Sequence, residues 1–375
     1  MSEELTDEQV CSAIEQALLE YGRENYLPLS EKHRLKKEIF HGIRGLDVLE
    51  ELLSDDAVTE IMINGYQTVF YEKEGRLYLW EKRFSSEERL YDVIQKMAAA
   101  ANRVVNEASP VSDSRLSDGS RINIVLPPVS LDGPAVTIRK FSKEAYTMER
   151  LVAMGAISEE ARSYMEHAVR TKKNIFISGG TGSGKTTFLN ALSAYIPNTE
   201  RVITIEDAAE LQIRTIPNLV RLEVRKATSE GCTAVSVRDL IKTALRMRPS
   251  RIIVGEVRGA EALDMLQAMN TGHEGSLSTG HANSAEDMLS RLETMVLQGS
   301  DMPLYAVRKQ IASAIDIFVQ LCRRSDGSRG VQQICENDGI SDGEIRLRPV
   351  FVTEREADCK GKLRYLGNSK YGKEE

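Results

Sequence analysis

Long hydrophobic runs are missing from this 375-residue chain. The longest apolar stretches, such as 174–178 and 252–255, are strand-length, far below the roughly 20 residues a membrane-spanning helix requires. No span is expected. The start, Met1-Ser2-Glu3-Glu4, lacks the positive region and apolar core of a signal peptide, so the expected location is the cytoplasm. Cysteine is sparse. Cys11, Cys232, Cys322, Cys335 and Cys359 are widely scattered without a C-x-x-C pair, which argues against zinc and redox motifs of that spacing and predicts free thiols. Excess positive charge is absent too: the net charge is −7, whereas coating nucleic acid needs clustered Lys and Arg to release phosphate counterions. What remains is a chain of 41% hydrophobic and 28% charged residues, long enough for two ordinary domains with separate cores.

Apolar positions Val10, Ile14, Ala17, Leu18 and Tyr21, followed by Leu35 and Ile39, recur at helical spacing and predict a helical N-terminal extension over 1–45. Strands over 58–63, 67–71 and 76–80 are separated by Asn64-Gly65 and Glu74-Gly75 turn signals. A helix over 86–104 and strands over 121–126 and 135–141 follow, so 46–141 reads as an α+β domain with an antiparallel sheet. After a linker over 142–157 the grammar changes. Strands 174–178, 201–206, 251–255, 276–279 and 315–321 alternate with helices 158–170, 185–195, 236–246, 260–270, 284–298 and 303–314, which predicts a largely parallel sheet covered by helices over 158–325. Residues 326–375, with strands at 330–335 and 344–352 and a polar, Lys-rich end, read as a C-terminal appendage frayed at its terminus.

Gly179-Gly180-Thr181-Gly182-Ser183-Gly184-Lys185-Thr186 fits G-x-x-x-x-G-K-[ST] between an apolar strand and a helix, the context that confirms a P-loop. Glycines let the backbone curl so that N–H groups and the helix N-terminus face an anion. The nucleotide site is therefore assigned to Gly180, Thr181, Gly182, Ser183, Gly184, Lys185, Thr186 and Thr187. Lys185 is expected on the β- and γ-phosphates of ATP and the Thr186 hydroxyl on Mg²⁺. Two strands end in acids, one at Glu206-Asp207 and one at Gly255-Glu256. Ligands gather at the carboxyl ends of parallel strands, and phosphoryl transfer to water needs one carboxylate to orient the nucleophile and another to help hold Mg²⁺. Thr271-Gly272-His273 and Thr279-Gly280-His281 flank a short apolar strand. One of these histidines is expected to contact the γ-phosphate or a catalytic carboxylate. Neither has the i+3 or i+4 partner of a metal ligand.

The order of the boxes is specific: P-loop, acidic box Ile205-Glu206-Asp207-Ala208-Ala209-Glu210-Leu211, atypical Walker B box Arg251 to Arg258, and histidine box Thr271 to Ser284. In that order the chain resembles the type II/IV secretion ATPase superfamily. The stretch from Ala244 to Arg258, with Asp118-Gly119-Ser120-Arg121 and Thr137-Ile138-Arg139-Lys140-Phe141, makes it most similar to the CpaF-type ATPases of tight-adherence pili, and the absence of the four-cysteine zinc element of many relatives favours the CpaF-type or conjugation-like branch. The resemblance covers about 46–322. It implies a RecA-like P-loop motor domain, a smaller domain that closes over ATP, a homo-hexameric ring, and an integral membrane platform protein as partner. It matches Glu206 to the acidic-box glutamate, Glu256 to the Walker B glutamate, and His273 and His281 to the histidine box. Glu256 is expected on Mg²⁺ and water, with Glu206 assisting. Arg121 and Arg139, with Arg115 and Lys140 as rivals, are candidates for a guanidinium that stabilises the transferring phosphoryl group. Two other classes are compatible with a P-loop: a RecA-like nucleic-acid motor, which would need a basic groove with stacking aromatics, and a nucleotide-dependent scaffold without turnover.

Overall fold

The computed structural model describes residues 6–116, 118–141, 146–225, 233–324, 326–355, 360–367 and 369–371. The chain divides into two compact units, Met1–Lys143 and Glu144–Glu375.

The first unit opens with α1 (Asp7–Glu24) and α2 (Leu29–Ile43). Thr6 and Gln9 form a reciprocal capping box at the start of α1, satisfying N–H groups that a helix leaves unpaired. Val10, Ile14 and Leu18, one face at helical spacing, pack with Leu27, Leu35 and Phe40. Beyond α3 (Glu50–Ser54) come β1 (Val58–Asn64), β2 (Thr68–Lys73), β3 (Arg76–Leu79), α4 (Glu87–Ala100), β4 (Val111–Arg115), β5 (Arg121–Val125) and β6 (Ala135–Arg139). The strands form one antiparallel sheet in the order β3-β2-β1-β6-β5-β4. Alternate residues Ile61, Ile63, Val69, Ile122, Ile124, Val136 and Ile138 face inward and share a core with Leu90, Val93, Ile94 and Met97 of α4, the period-2 signature of a sheet covered on one side. The expected α+β domain is present, with β4 as an added edge strand.

The second unit contains α5 (Met148–Ala153), α6 (Glu159–Arg170), β7 (Ile175–Gly179), α7 (Lys185–Ser193), β8 (Val202–Glu206), β9 (Leu219–Glu223), α8 (Val237–Ala244), β10 (Arg251–Val254) and α9 (Glu261–Asn270). It continues through β11 (Leu277–Gly280), α10 (Ala285–Gly299), α11 (Leu304–Ala314), β12 (Ile317–Arg323), β13 (Arg329–Ser341), β14 (Glu344–Arg355) and β15 (Lys360–Tyr365). These strands make a second sheet in the order β15-β14-β13-β12-β7-β11-β10-β8-β9. From β12 to β9 all neighbours are parallel. Ile175 and Ile177 belong to one buried cluster and Phe176 to the other, so β7 is covered on both faces, which explains its unbroken apolar run.

Four expectations change. Residues 148–153, assigned to the linker, form α5, capped by the Thr147 side chain on Arg150 N–H. The strands of the appendage are not peripheral: β13 pairs antiparallel with β12 and carries β14 and β15 onto the same sheet. The described end of the chain is also anchored, because Glu336, fully buried, accepts hydrogen bonds from Ser369 Oγ, Lys370 N–H and Tyr371 N–H as well as Tyr164 OH. Residues 372–375 lie outside the described residues. Among the cysteines, Cys11 is a free thiol while Cys322 is disulfide-bonded, against the expectation for the latter; Cys232 and Cys359 lie outside the described residues.

Candidate active site

β7, buried along its whole length, delivers the chain into the Gly180–Gly184 loop and α7. Gly184 has φ +94°, a left-handed conformation that side chains disfavour, and its carbonyl accepts the first helical N–H, from Phe188, at 2.8 Å. The unpaired N–H groups at the start of α7 thus lie at the loop, the arrangement that binds phosphate. Lys185 is buried, and its Nζ donates to Gly179 O at 3.1 Å and Gly180 O at 3.0 Å. Ser183 Oγ is buried without a hydrogen-bond partner among the described residues. Thr186 Oγ1 donates to Glu210 Oε2 at 3.4 Å, and Thr187 follows in the first turn of α7.

Strand order sets the rest. Because β11 lies between β7 and β10, and β8 lies beyond β10, the carboxyl ends of successive strands present His281, then Glu256, then Glu206 in line from the P-loop. His281 Nδ1 is 3.3 Å from Lys185 Nζ. His281 Nε2, itself 3.5 Å from Lys185 Nζ, is 2.8 Å from Glu256 Oε1, at ion-pair distance but off the line of a hydrogen bond. Glu256 Oε2 accepts from Arg258 Nη2 at 2.8 Å, and Arg258 Nη1 is 3.8 Å from Asp207 Oδ2. Burial, with the Lys185 charge beside it, lowers the His281 pKa despite the pull of Glu256, which favours the neutral imidazole at physiological pH.

Glu206 is 4% exposed. Its Oε1 accepts N–H groups of Glu210 and Leu211, each at 2.8 Å, while Oε2 is buried and has no hydrogen-bond partner among the described residues. Burial pushes the carboxyl up to about 7 against the opposing pull of the two N–H groups and Arg221, placing its proton equilibrium where a general base operates. Gly255 makes the approach of β10 to this carboxylate possible, since a Cβ there would meet Glu206 Cγ at 3.0 Å.

Among the described residues no group of three or more His, Cys, Asp or Glu is arranged to enclose a metal. Mg²⁺ needs no such cage, since it is commonly held by one or two protein oxygens together with substrate phosphates and water. The Thr186 hydroxyl beside the Glu210 carboxylate, with Glu256 two strands from β7, fits that hard-oxygen chemistry.

The structure therefore brings Lys185, Thr186, His281, Glu256 and Glu206 to one end of the sheet. His273 is not among them. It precedes β11, with Nδ1 3.3 Å from Ala268 O, and four strand residues, about 13 Å of extended chain, separate the two ends of that strand. Arg121 and Arg139 belong to the first unit. They face each other in register across β5 and β6, with Arg115 opposite Arg121 and Glu60 opposite Arg139, so three guanidinium-bearing positions run in a row across β4, β5 and β6. Lys140 donates to Leu52 O and Asp55 O, a role in joining α3 to the sheet.

Glu210, Arg258 and Arg291 were missed. A cleft of about 380 Å³ is lined by Thr181, Glu256, Val257, Arg258, His281 and Arg291. Arg258 stands two residues beyond Glu256, past the end of β10, where no strand periodicity applies. Arg291 comes from α10 and leaves no local signal.

Residues 43–361 match the family described as Type II/IV secretion system protein. The chain belongs to that family. It is 37% identical over 317 residues to a putative conjugal transfer protein of Mycobacterium tuberculosis (strain CDC 1551 / Oshkosh), an alignment covering 83% of this chain and 88% of that one. It is 34% identical over 323 residues to the type IV secretion system protein PtlH of Bordetella pertussis, covering 79% and 95%. The crystal structure of the pilus retraction motor PilT with bound ADP shares the fold, with a TM-score of 0.58 at 20% identity and coverage of 81% and 82%. Family membership supports ATPase activity in general and a part in a secretion or pilus system.

Proposed function

We propose that this chain is a Mg²⁺-dependent ATPase that works as a homo-hexameric, cytoplasmic motor on an integral membrane platform protein, driving pilus assembly or protein secretion. The observation that carries the reading is the continuous line Lys185–His281–Glu256 from the phosphate loop to a strand-end carboxylate. Lys185 leaves two loop carbonyls to take the β- and γ-phosphates, so its ammonium exchanges two hydrogen bonds to neutral acceptors for contacts to anionic ones. Thr186 with Glu256 or Glu210 would hold Mg²⁺, which would supply positive charge to the phosphate oxygens. Glu206 or Glu256 orients and deprotonates the attacking water. Neutral His281, between the phosphate-binding lysine and Glu256, reports the state of the nucleotide to the carboxylate. Arg121 and Arg139 supply positive charge to the transferring group when the smaller domain closes. The box pattern supports a CpaF-type assignment within the family.

The test is phosphate release by wild type and Lys185→Ala, each with and without anionic lipid. Removing the ammonium should abolish turnover, because the transferring phosphates lose their nearest cation. Near-normal turnover in the variant would overturn the site. A nucleic-acid motor is not favoured, the chain being acidic with one tryptophan.

A further inference from the structure

The hairpin formed by β12 and β13 passes the phosphate loop on the flank opposite the carboxylates. Strand order places β12 on one side of β7 and β11 on the other, with Leu321 of β12 in register with Gly179 at the loop's entrance. Two residues further along β12 stands Arg323, directly opposite Arg329 on β13. Both are exposed. Like charges directly opposite across an antiparallel pair are unfavourable, and among the described residues neither guanidinium has an ion pair or hydrogen bond to offset this. Arg329 also lies against the loop itself: a Cβ on Gly184 would sit 3.6 Å from Arg329 Cδ. Its stem therefore covers the last loop residue before α7, and its guanidinium is within reach of an anion at that helix N-terminus.

We infer that Arg329 binds the nucleoside diphosphate part of the nucleotide, on the phosphates that are not transferred. The direction of approach decides which phosphates. His281, Glu256 and Glu206 occupy the β11-β10-β8 side, where water attack must occur, while Arg329 reaches the loop from the β12–β13 side. A phosphate seated there supplies the counter-charge that the Arg323–Arg329 pair lacks. The charge on the α-phosphate, unlike that on the β-phosphate leaving group, does not change during transfer, so a contact there strengthens ground state and transition state alike. Arg329 is thus an affinity residue for ATP and ADP. This rests on the ATP-binding reading above.

The experiment uses the full chain and measures ADP and ATP binding by calorimetry and steady-state hydrolysis for wild type, Arg329→Met, Arg329→Lys and Lys185→Ala. Methionine keeps an apolar stem over Gly184 and removes the charge. The expected result is an affinity loss of about tenfold for both ADP and ATP in Arg329→Met, the size of one charge-assisted contact, with KM raised, kcat unchanged and partial recovery in Arg329→Lys. Unchanged ADP affinity would overturn the inference, as would a loss confined to ATP or a fall in kcat without a change in affinity. Failure of wild type to bind either nucleotide would instead overturn the ATP-binding reading, whereas tight wild-type binding with no effect of Arg329→Met refutes only the role of Arg329.

Discussion

Glu206 offers a quantitative test because its carboxyl is buried, half-satisfied and titrates far from its ordinary range. A rise from 4.5 to about 7, at ~1.4 kcal/mol per factor of ten in the proton equilibrium, amounts to about 3 kcal/mol. The sign follows from proton linkage. The folded chain holds this proton more tightly than the unfolded one, so stability from this group falls as pH climbs from 4.5 through about 7 and then levels off. Glu206→Gln removes the titration. The amide oxygen can still accept the Glu210 and Leu211 N–H groups, and the amide nitrogen leaves a buried donor unpaired, as the protonated acid does. The two proteins should therefore be similarly stable near pH ~4, and the variant should be more stable by about 3 kcal/mol near pH ~8.5. For a unit of this size that difference is roughly 5 to 10 °C in melting temperature. Thermal melts of the full chain, followed by far-ultraviolet circular dichroism across that pH range, measure it. Melting curves that keep a constant separation between variant and wild type from acid to alkaline pH would refute the assigned titration.

Glu256→Gln should bind ATP with near wild-type affinity yet hydrolyse it at least about a hundredfold more slowly, the scale of lost general-base catalysis; nucleotide-binding titrations beside phosphate release check it, and a binding defect would argue for a structural role. If Arg121 and Arg139 act as proposed, Arg121→Ala and Arg139→Ala should each lower kcat at least about tenfold with little change in nucleotide affinity; wild-type turnover in both would remove them from the catalytic machinery. Truncation before Ser369 should strip three donors from the fully buried Glu336 and destabilise the protein by about 3 kcal/mol, read as a lower melting temperature; an unchanged value would show that the clip contributes nothing to stability.

The phosphate loop was legible because its parts are contiguous: an apolar strand, glycines, a lysine and a hydroxyl need no knowledge of distant chain. Glu206 and Glu256 were legible for a different reason, since carboxyl ends of parallel strands converge on one edge whatever their order. That same rule could have separated the histidines. His281 follows β11 and must emerge at the phosphate-binding edge, whereas His273 precedes it and must emerge at the other. What no local pattern carries is the insertion of β11 between β7 and β10, which makes His281 a neighbour of both Lys185 and Glu256.

The strands that escaped the sequence reading share a position. β9 and β15 are the two edges of the larger sheet and β4 is an edge of the smaller one. Their sequences, LVRLE, KGKLRY and VSDSR, lack the unbroken apolar run of β7 and carry charge instead. A central strand is buried on both faces and advertises itself by hydrophobicity, whereas an edge strand must discourage pairing with other chains, and charge does this. The property that keeps such a strand from aggregating is the one that hides it from a reading based on apolar pattern. β13, read short as 330–335, illustrates the other side of the limit: its pairing with β12 is set by strands on both flanks, and only that pairing brings Arg329, assigned by sequence to an appendage, against Gly184 of the phosphate loop.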